Sequence, residues 1–126
     1  MPDPMVRTSV LFDTCILIDY LRGVAQARAE CNRYADRAIS IITRMEVLAG
    51  ATPANEDDAR IFLSNFQLLA LTLDVADRAA GIRRTQKIKL PDAIILATAE
   101  GGARVLITRN TRDFSAGRWV RIPYTI

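Results

Sequence analysis

LPDAIILATAEGGARVLITRNTRDF, residues 90–114, is the stretch whose reading decides the fold. Pro91 and Asp92 open a helix, since proline is tolerated in a first turn and a carboxylate there meets the positive end of the dipole. Residues 93–97 are apolar on every side, the mark of a helix buried all round. Gly101 and Gly102 end it, because glycine adopts the left-handed conformation favoured at helix termini. Residues 104–108, RVLIT, then read as a central strand, short and mostly apolar. The RNTRDF that follows is too polar for a core. A buried strand that releases a polar loop at its carboxyl end is where open α/β sheets place their chemistry. Asp92 and Asp113 therefore fall near one candidate site.

Working outward, the rest of the chain repeats the alternation of strand and helix. Residues 1–7 read as a frayed tail, and residues 8–12 (TSVLF) as a first strand ending at Asp13. A helix from Thr14 carries Ile16, Leu17 and Leu21 toward the core and stops at Gly23; a more polar helix spans about residues 24–33. A second strand is expected over residues 38–42, and Thr43 begins a helix that ends near Gly50. The break at Thr52, Pro53 and Ala54 is too short for a domain linker. Asn55 is expected to cap a helix whose apolar stripe is Ile61, Phe62 and Phe66. A third strand covers residues 68–73, and Asp74 caps a helix with Val75, Ala79 and Ile82 on one face, closing in the basic run Arg83, Arg84, Lys87 and Lys89. Residues 119–122 (WVRI) alternate as a short edge strand. The expectation is one α/β domain over residues 1–126: a mostly parallel sheet of four to five strands with helices on both faces, joined by right-handed crossovers.

Composition narrows the chemistry. The 126 residues contain no histidine, which excludes histidine triads, imidazole bases and the usual zinc-hydroxide sites. Cys15 and Cys31 form no CxxC pair, fit a reducing compartment and point to a cytoplasmic location. No membrane-spanning run and no signal-peptide layout is apparent. The net charge of +3 hides an asymmetry: residues 1–77 hold 7 Arg and Lys against 11 Asp and Glu, and residues 78–126 hold 10 against 3. A basic C-terminal portion is either a solvated face or the footprint of an anionic partner such as nucleic acid.

Asp13, Glu46 and Asp113 fall near the carboxyl edge of such a sheet, and the placement of Asp92 depends on how the helix it opens docks. Each also has a structural explanation. Asp13 would cap the helix beginning at Thr14, and Glu46 would complete the capping box Thr43-Arg44-Met45-Glu46. Asp92 suits a helix first turn, and Asp113 an Asx-type turn. Those explanations leave unexplained why the acids gather at one edge with no histidine, cysteine pair or dedicated lysine beside them. Ligation by oxygen alone is the signature of a hard cation, Mg²⁺ or Mn²⁺.

VLFDTCILIDYLRG, ITRMEVLAG, LPDAIILATA and VLITRNTRDF, in that order and spacing, resemble the PIN-domain ribonucleases, most closely the VapC-type toxins. The resemblance covers nearly the whole chain. It implies a metal-dependent endoribonuclease that leaves 5′-phosphate and 3′-hydroxyl ends, with Mg²⁺ or Mn²⁺ held by Asp13, Glu46, Asp92 and Asp113. It also implies support from Thr14, Thr108 and Asn110, an RNA substrate, a homodimer and a cognate antitoxin protein. Arg83, Arg84, Lys87 and Arg112 are the candidate RNA-binding residues. Relatives often carry serine or asparagine where this chain has Cys15, whose other reading is a small buried apolar residue. The alternatives are an inactive PIN-like module that binds RNA or protein, and a phosphoacceptor signalling domain. The latter needs paired acids after the first strand and a lysine after a late one; Asp13 has no acidic neighbour before Asp19, and neither Lys87 nor Lys89 follows a strand.

Overall fold

The computed structural model describes residues 7–126; the expected N-terminal tail falls almost wholly outside the described residues. The sheet is built from β1 (Val10–Phe12), β2 (Arg37–Ser40), β3 (Gln67–Leu69), β4 (Val105–Ile107) and β5 (Val120–Arg121). Its order is β3-β2-β1-β4-β5 and every neighbouring pair is parallel. Leu11 stands opposite Ala38 on one side and Leu106 on the other. The helices are α1 (Thr14–Leu21), α2 (Ala25–Cys31), α3 (Ile41–Ala49), α4 (Glu56–Leu63), α5 (Leu73–Gln86) and α6 (Leu90–Gly101).

Strand side chains alternate between the two faces, and the core divides accordingly. Val10, Phe12, Ile39 and Ile107 join Ile16, Leu17, Ala27, Val47 and Leu63 from α1 to α4. Leu11, Ala38 and Leu106 join Ala79 and Ile82 of α5 and Ala93, Ile95 and Leu96 of α6. Both faces are therefore covered, as a parallel sheet requires. Among the described residues no helix is long and apolar enough to cross a membrane.

Several local expectations are corrected. The second strand stops at Ser40, whose hydroxyl accepts the Ile42 N–H at 3.0 Å and caps α3 three residues earlier than expected. Thr43 is thus inside the helix, and the capping box at Thr43–Glu46 does not form. β3 ends at Leu69; Thr72, not Asp74, caps α5, accepting the Val75 N–H at 3.2 Å. Asn55 occupies the cap position of α4 but turns its side chain to the Thr52 N–H instead. Leu21 (44% exposed) and Ile61 (66%) face outward, and buried Phe66 lies beyond the end of α4. At the end of α6 the glycines are not left-handed. Gly102 has φ −96°, and Ala103 takes the left-handed position with φ 52°. The bonds Ala103 N–H to Glu100 O and Arg104 N–H to Ala99 O form a Schellman closure one residue later than expected.

Candidate active site

The strand order sets the place of the site before any side chain is considered. The chain moves from β1 outward through β2 and β3, then crosses back to β4 on the other side of β1. The carboxyl ends of β1 and β4 flank the crevice at this reversal, where open α/β sheets hold ligands. Asp13 leaves β1 directly into that crevice, its N–H bonded to Ile107 O of β4 at 2.9 Å.

Asp13 is 4% exposed and both its oxygens are engaged. Oδ1 accepts the Thr14 N–H at 2.8 Å, and Oδ2 accepts the Thr108 hydroxyl at 2.7 Å. Its role at the N-cap of α1 and its place in the site coexist. Glu46 projects from α3 with Oε1 accepting the Thr14 hydroxyl at 2.7 Å, and that hydroxyl lies 3.0 Å from Thr43 Oγ1. Asn110 follows β4: its N–H bonds Thr108 Oγ1 at 3.0 Å and its Nδ2 donates to Asp113 Oδ2 at 3.1 Å. Asn110 Oδ1 in turn accepts the Asp113 N–H at 3.3 Å, so Asn110, rather than Asp113, supplies the turn-forming side chain. Asp92, in the first turn of α6, is half-buried.

These four acids line one cavity of about 650 Å³, together with Thr14, Cys15, Lys89, Arg109, Asn110 and Arg112. Their electrostatics agree with that proximity. Burial raises the Asp13 pKa, outweighing its hydrogen bonds, with Glu46 adding repulsion. Asp92 is pushed up to about 6 by burial first, then by its contact with Asp113 and the charges of Asp13, Asp113 and Glu46. A carboxylate whose only role was to meet a helix dipole would move downward. Among the described residues no three acidic or cysteine side chains close on one point tightly enough to hold an ion. The acids border a shared space instead. The donor set nonetheless fits a hard divalent cation: carboxylate oxygens from four separate segments border one space.

Cys15 packs against the core, as a small apolar residue would, and also reaches the site. Its half-buried thiol donates weakly to Asp13 Oδ2 at 3.5 Å and lies 3.7 Å from Thr108 Oγ1, with burial and the Asp13 charge pushing its pKa up to about 11. Arg112 lies on the cavity wall, whereas Arg83, Arg84 and Lys87 sit exposed at the carboxyl end of α5, outside that lining. Lys89 and Arg109 also line the cavity, and neither is among the RNA-binding candidates of the sequence. Lys89 was legible as a member of the basic run just before Asp92. Arg109 had no local signal, because its partner is 90 residues away.

Residues 10–118 match the PIN domain family. The chain is 28% identical to Ribonuclease VapC10 of Mycobacterium tuberculosis (strain ATCC 25618 / H37Rv), over 93% of this chain and 94% of that one. A solved toxin-antitoxin complex from Klebsiella pneumoniae contains a chain 45% identical, with a TM-score of 0.88 across 94% of this chain and 100% of that chain. The DNA-bound VapBC structure from Salmonella typhimurium shares the fold at 24% identity, with a TM-score of 0.71 over 90% of this chain and 96% of that one.

Proposed function

The chain belongs to the PIN-domain family, and from that premise we propose that it is a VapC-type endoribonuclease, the toxin of a toxin–antitoxin pair. The observation that carries the reading is the meeting of Asp13, Glu46, Asp92 and Asp113 in one cavity at the β1–β4 crevice. Four segments far apart in sequence deliver hard oxygen donors to one place, and none of the four acids is in an ion pair among the described residues.

Asp13, Glu46, Asp92 and Asp113 would hold Mg²⁺ or Mn²⁺, which when bound supplies Lewis acidity toward a phosphodiester and acidifies water. Thr108 fixes the rotamer of Asp13, and Thr14 that of Glu46, so each carboxylate presents its remaining lone pairs to the cavity. Asn110 orients Asp113. Lys89 and Arg112 on the cavity wall attract the RNA backbone toward a site whose own acids repel it; Arg83, Arg84 and Lys87 extend the basic surface beyond the wall. Water rather than the ribose 2′-hydroxyl attacks, and the products carry 5′-phosphate and 3′-hydroxyl ends.

The reading extends to partners. Beside the acidic cavity lies a groove of about 460 Å³ lined by Ile18, Leu21, Val47, Ala51 and Ala59, and Ile18 and Glu46 border both spaces. An antitoxin segment seated in that groove would reach the acids. A homodimer and a cytoplasmic location complete the proposal; both cysteines are free thiols, as a reducing compartment leaves them.

The decisive experiment is Asp92→Asn. Asparagine keeps the shape and suits a helix first turn while removing the charge a hard cation requires. Mg²⁺-dependent cleavage of RNA should fall by about two orders of magnitude or more, with RNA binding and the fold retained. Full cleavage by this variant, or cleavage by the wild type in excess chelator, defeats the reading. An inactive module predicts no Mg²⁺-dependent cleavage from the wild type at all.

A further inference from the structure

Asp19 is a buried acid that the proposed chemistry does not use. It lies on α1, 2% exposed, one and a half turns beyond Asp13. Its carboxylate takes both arms of a guanidinium: Arg109 Nε donates to Oδ2 and Nη2 donates to Oδ1 at 3.0 Å. Tyr124, near the C-terminus, donates its hydroxyl to the same Oδ2 at 2.8 Å. Burial alone would raise the Asp19 pKa, and these two donors hold it below the ordinary carboxylate range instead.

Arg109 stands between Thr108, which bonds Asp13, and Asn110, which bonds Asp113. The fork therefore ties the segment after β4 to the helix that Asp13 caps. Among the described residues, apart from the β1–β4 ladder and its Asp13 N–H extension, the other direct contacts between these two parts of the site are the Thr108–Asp13 hydrogen bond and the weak Cys15–Thr108 contact at 3.7 Å. Building on the nuclease reading above, we propose that Asp19 is a positioning residue of the acidic site. Through Arg109 it sets where Asn110 and Asp113 lie relative to Asp13, and Tyr124 makes the C-terminal segment part of the same clamp. A planar fork received by two carboxylate oxygens defines orientation as well as distance, which a single point charge does not.

The test is Mn²⁺ binding without RNA, followed by the paramagnetic signal of the free ion, on the full chain. Arg109→Lys keeps the charge and loses the fork; Asp19→Asn loses the acceptor charge. Both should weaken Mn²⁺ binding by roughly ten- to a hundredfold, as removal of a residue that orients ligands does. Cleavage by Arg109→Lys should recover as Mn²⁺ is raised. Tyr34→Phe is the control for lost stability, because it removes a buried bond to Glu30 on the same face of the sheet while neither residue lines the acidic cavity. It should melt lower and bind Mn²⁺ like the wild type. Should Asp19→Asn fail to fold, Arg109→Lys decides alone. Wild-type Mn²⁺ affinity in Arg109→Lys overturns the positioning role. Loss of affinity in Tyr34→Phe to the same extent also overturns it, since any destabilisation would then suffice. A wild type that takes up no Mn²⁺ overturns the nuclease reading itself, a result distinct from both.

Discussion

Asp92 feels two opposed influences, and their balance is measurable. The N-terminus of α6 favours its charged form, while burial and three neighbouring acids favour the proton and set a pKa of about 6 against an ordinary 3.8. Between those values the folded chain binds more protons at Asp92 than the unfolded chain does. Stability from this group is therefore present at low pH and is lost as pH rises from about 4 through about 6. Asp92→Asn should flatten that part of the stability–pH curve. The same proton competes with a cation, so Mn²⁺ affinity of the wild type should fall as pH drops from about 7 to about 5. Calorimetric titration at these values checks it, and a pH-independent affinity would show that Asp92 is not a ligand. Cys15 shows the limit of residue-by-residue reading. Its type suggests a core position and it does pack against the core, while its place two residues after Asp13 also sets the thiol against the acid and Thr108.

Element boundaries moved wherever a small polar residue competed for the cap. Ser40 and Thr43 both precede helical sequence, and the S/T-x-x-E pattern favours Thr43. The structure uses Ser40, fully buried at the end of β2, and leaves Thr43 inside α3 beside Thr14. That shift releases Glu46 from a capping role and turns it toward Thr14 and the cavity. Ser40→Ala should therefore cost about 1 kcal/mol, the usual loss of a cap. Thr43→Ala should leave the α3 N-terminus intact while loosening the Thr14–Glu46 contact, seen as reduced cleavage with a smaller drop in melting temperature. Denaturant unfolding of the pair settles the order; a larger loss for Thr43→Ala would restore the capping box. A related displacement occurs at the end of α6, where Ala103 holds the left-handed position and Gly102 does not. Two adjacent glycines mark the end of a helix, and the hydrogen bonds that close it decide which residue turns.

At the scale of the whole molecule, apolar surface remains uncovered. Leu21, Met45 and Ile61, on α1, α3 and α4, are 44%, 59% and 66% exposed, and a groove of mixed lining, apolar at Ile18, Leu21, Val47, Ala51 and Ala59 and charged at Arg22, Glu46 and Asp58, lies among these helices. Leu68, Leu71 and Leu73 add a second exposed group at the β3 edge of the sheet. Surface of this kind accompanies association. The 14.0 kDa chain should sediment as a dimer at micromolar concentration, and strong expression without an antitoxin should arrest growth. A monomer in sedimentation removes the dimer from the proposal, and unimpaired growth with a folded product removes the toxin. Either result leaves the cleavage chemistry to be judged on Asp92→Asn.

The sequence by itself determined the class of fold, the alternation of strand and helix, and the position of Asp13 and Asp113 just after strands; it left open where the helix that carries Asp92 would dock. These are properties of local pattern: buried parallel strands read as apolar runs, and residues at strand ends share an edge whatever the strand order. Its resemblance to one family also named Thr14, Thr108 and Asn110, each of which bonds a site carboxylate or its neighbour. Only the tertiary structure decided the strand order that opens the crevice between β1 and β4, the cap that frees Glu46, and the walls contributed by Lys89 and Arg109. It alone brought Asp19, Arg109 and Tyr124 together across 90 and 105 residues of chain. Local pattern records which face of an element is buried; it carries no record of which distant charge that face will meet, because that pairing exists only once the sheet has closed the distance.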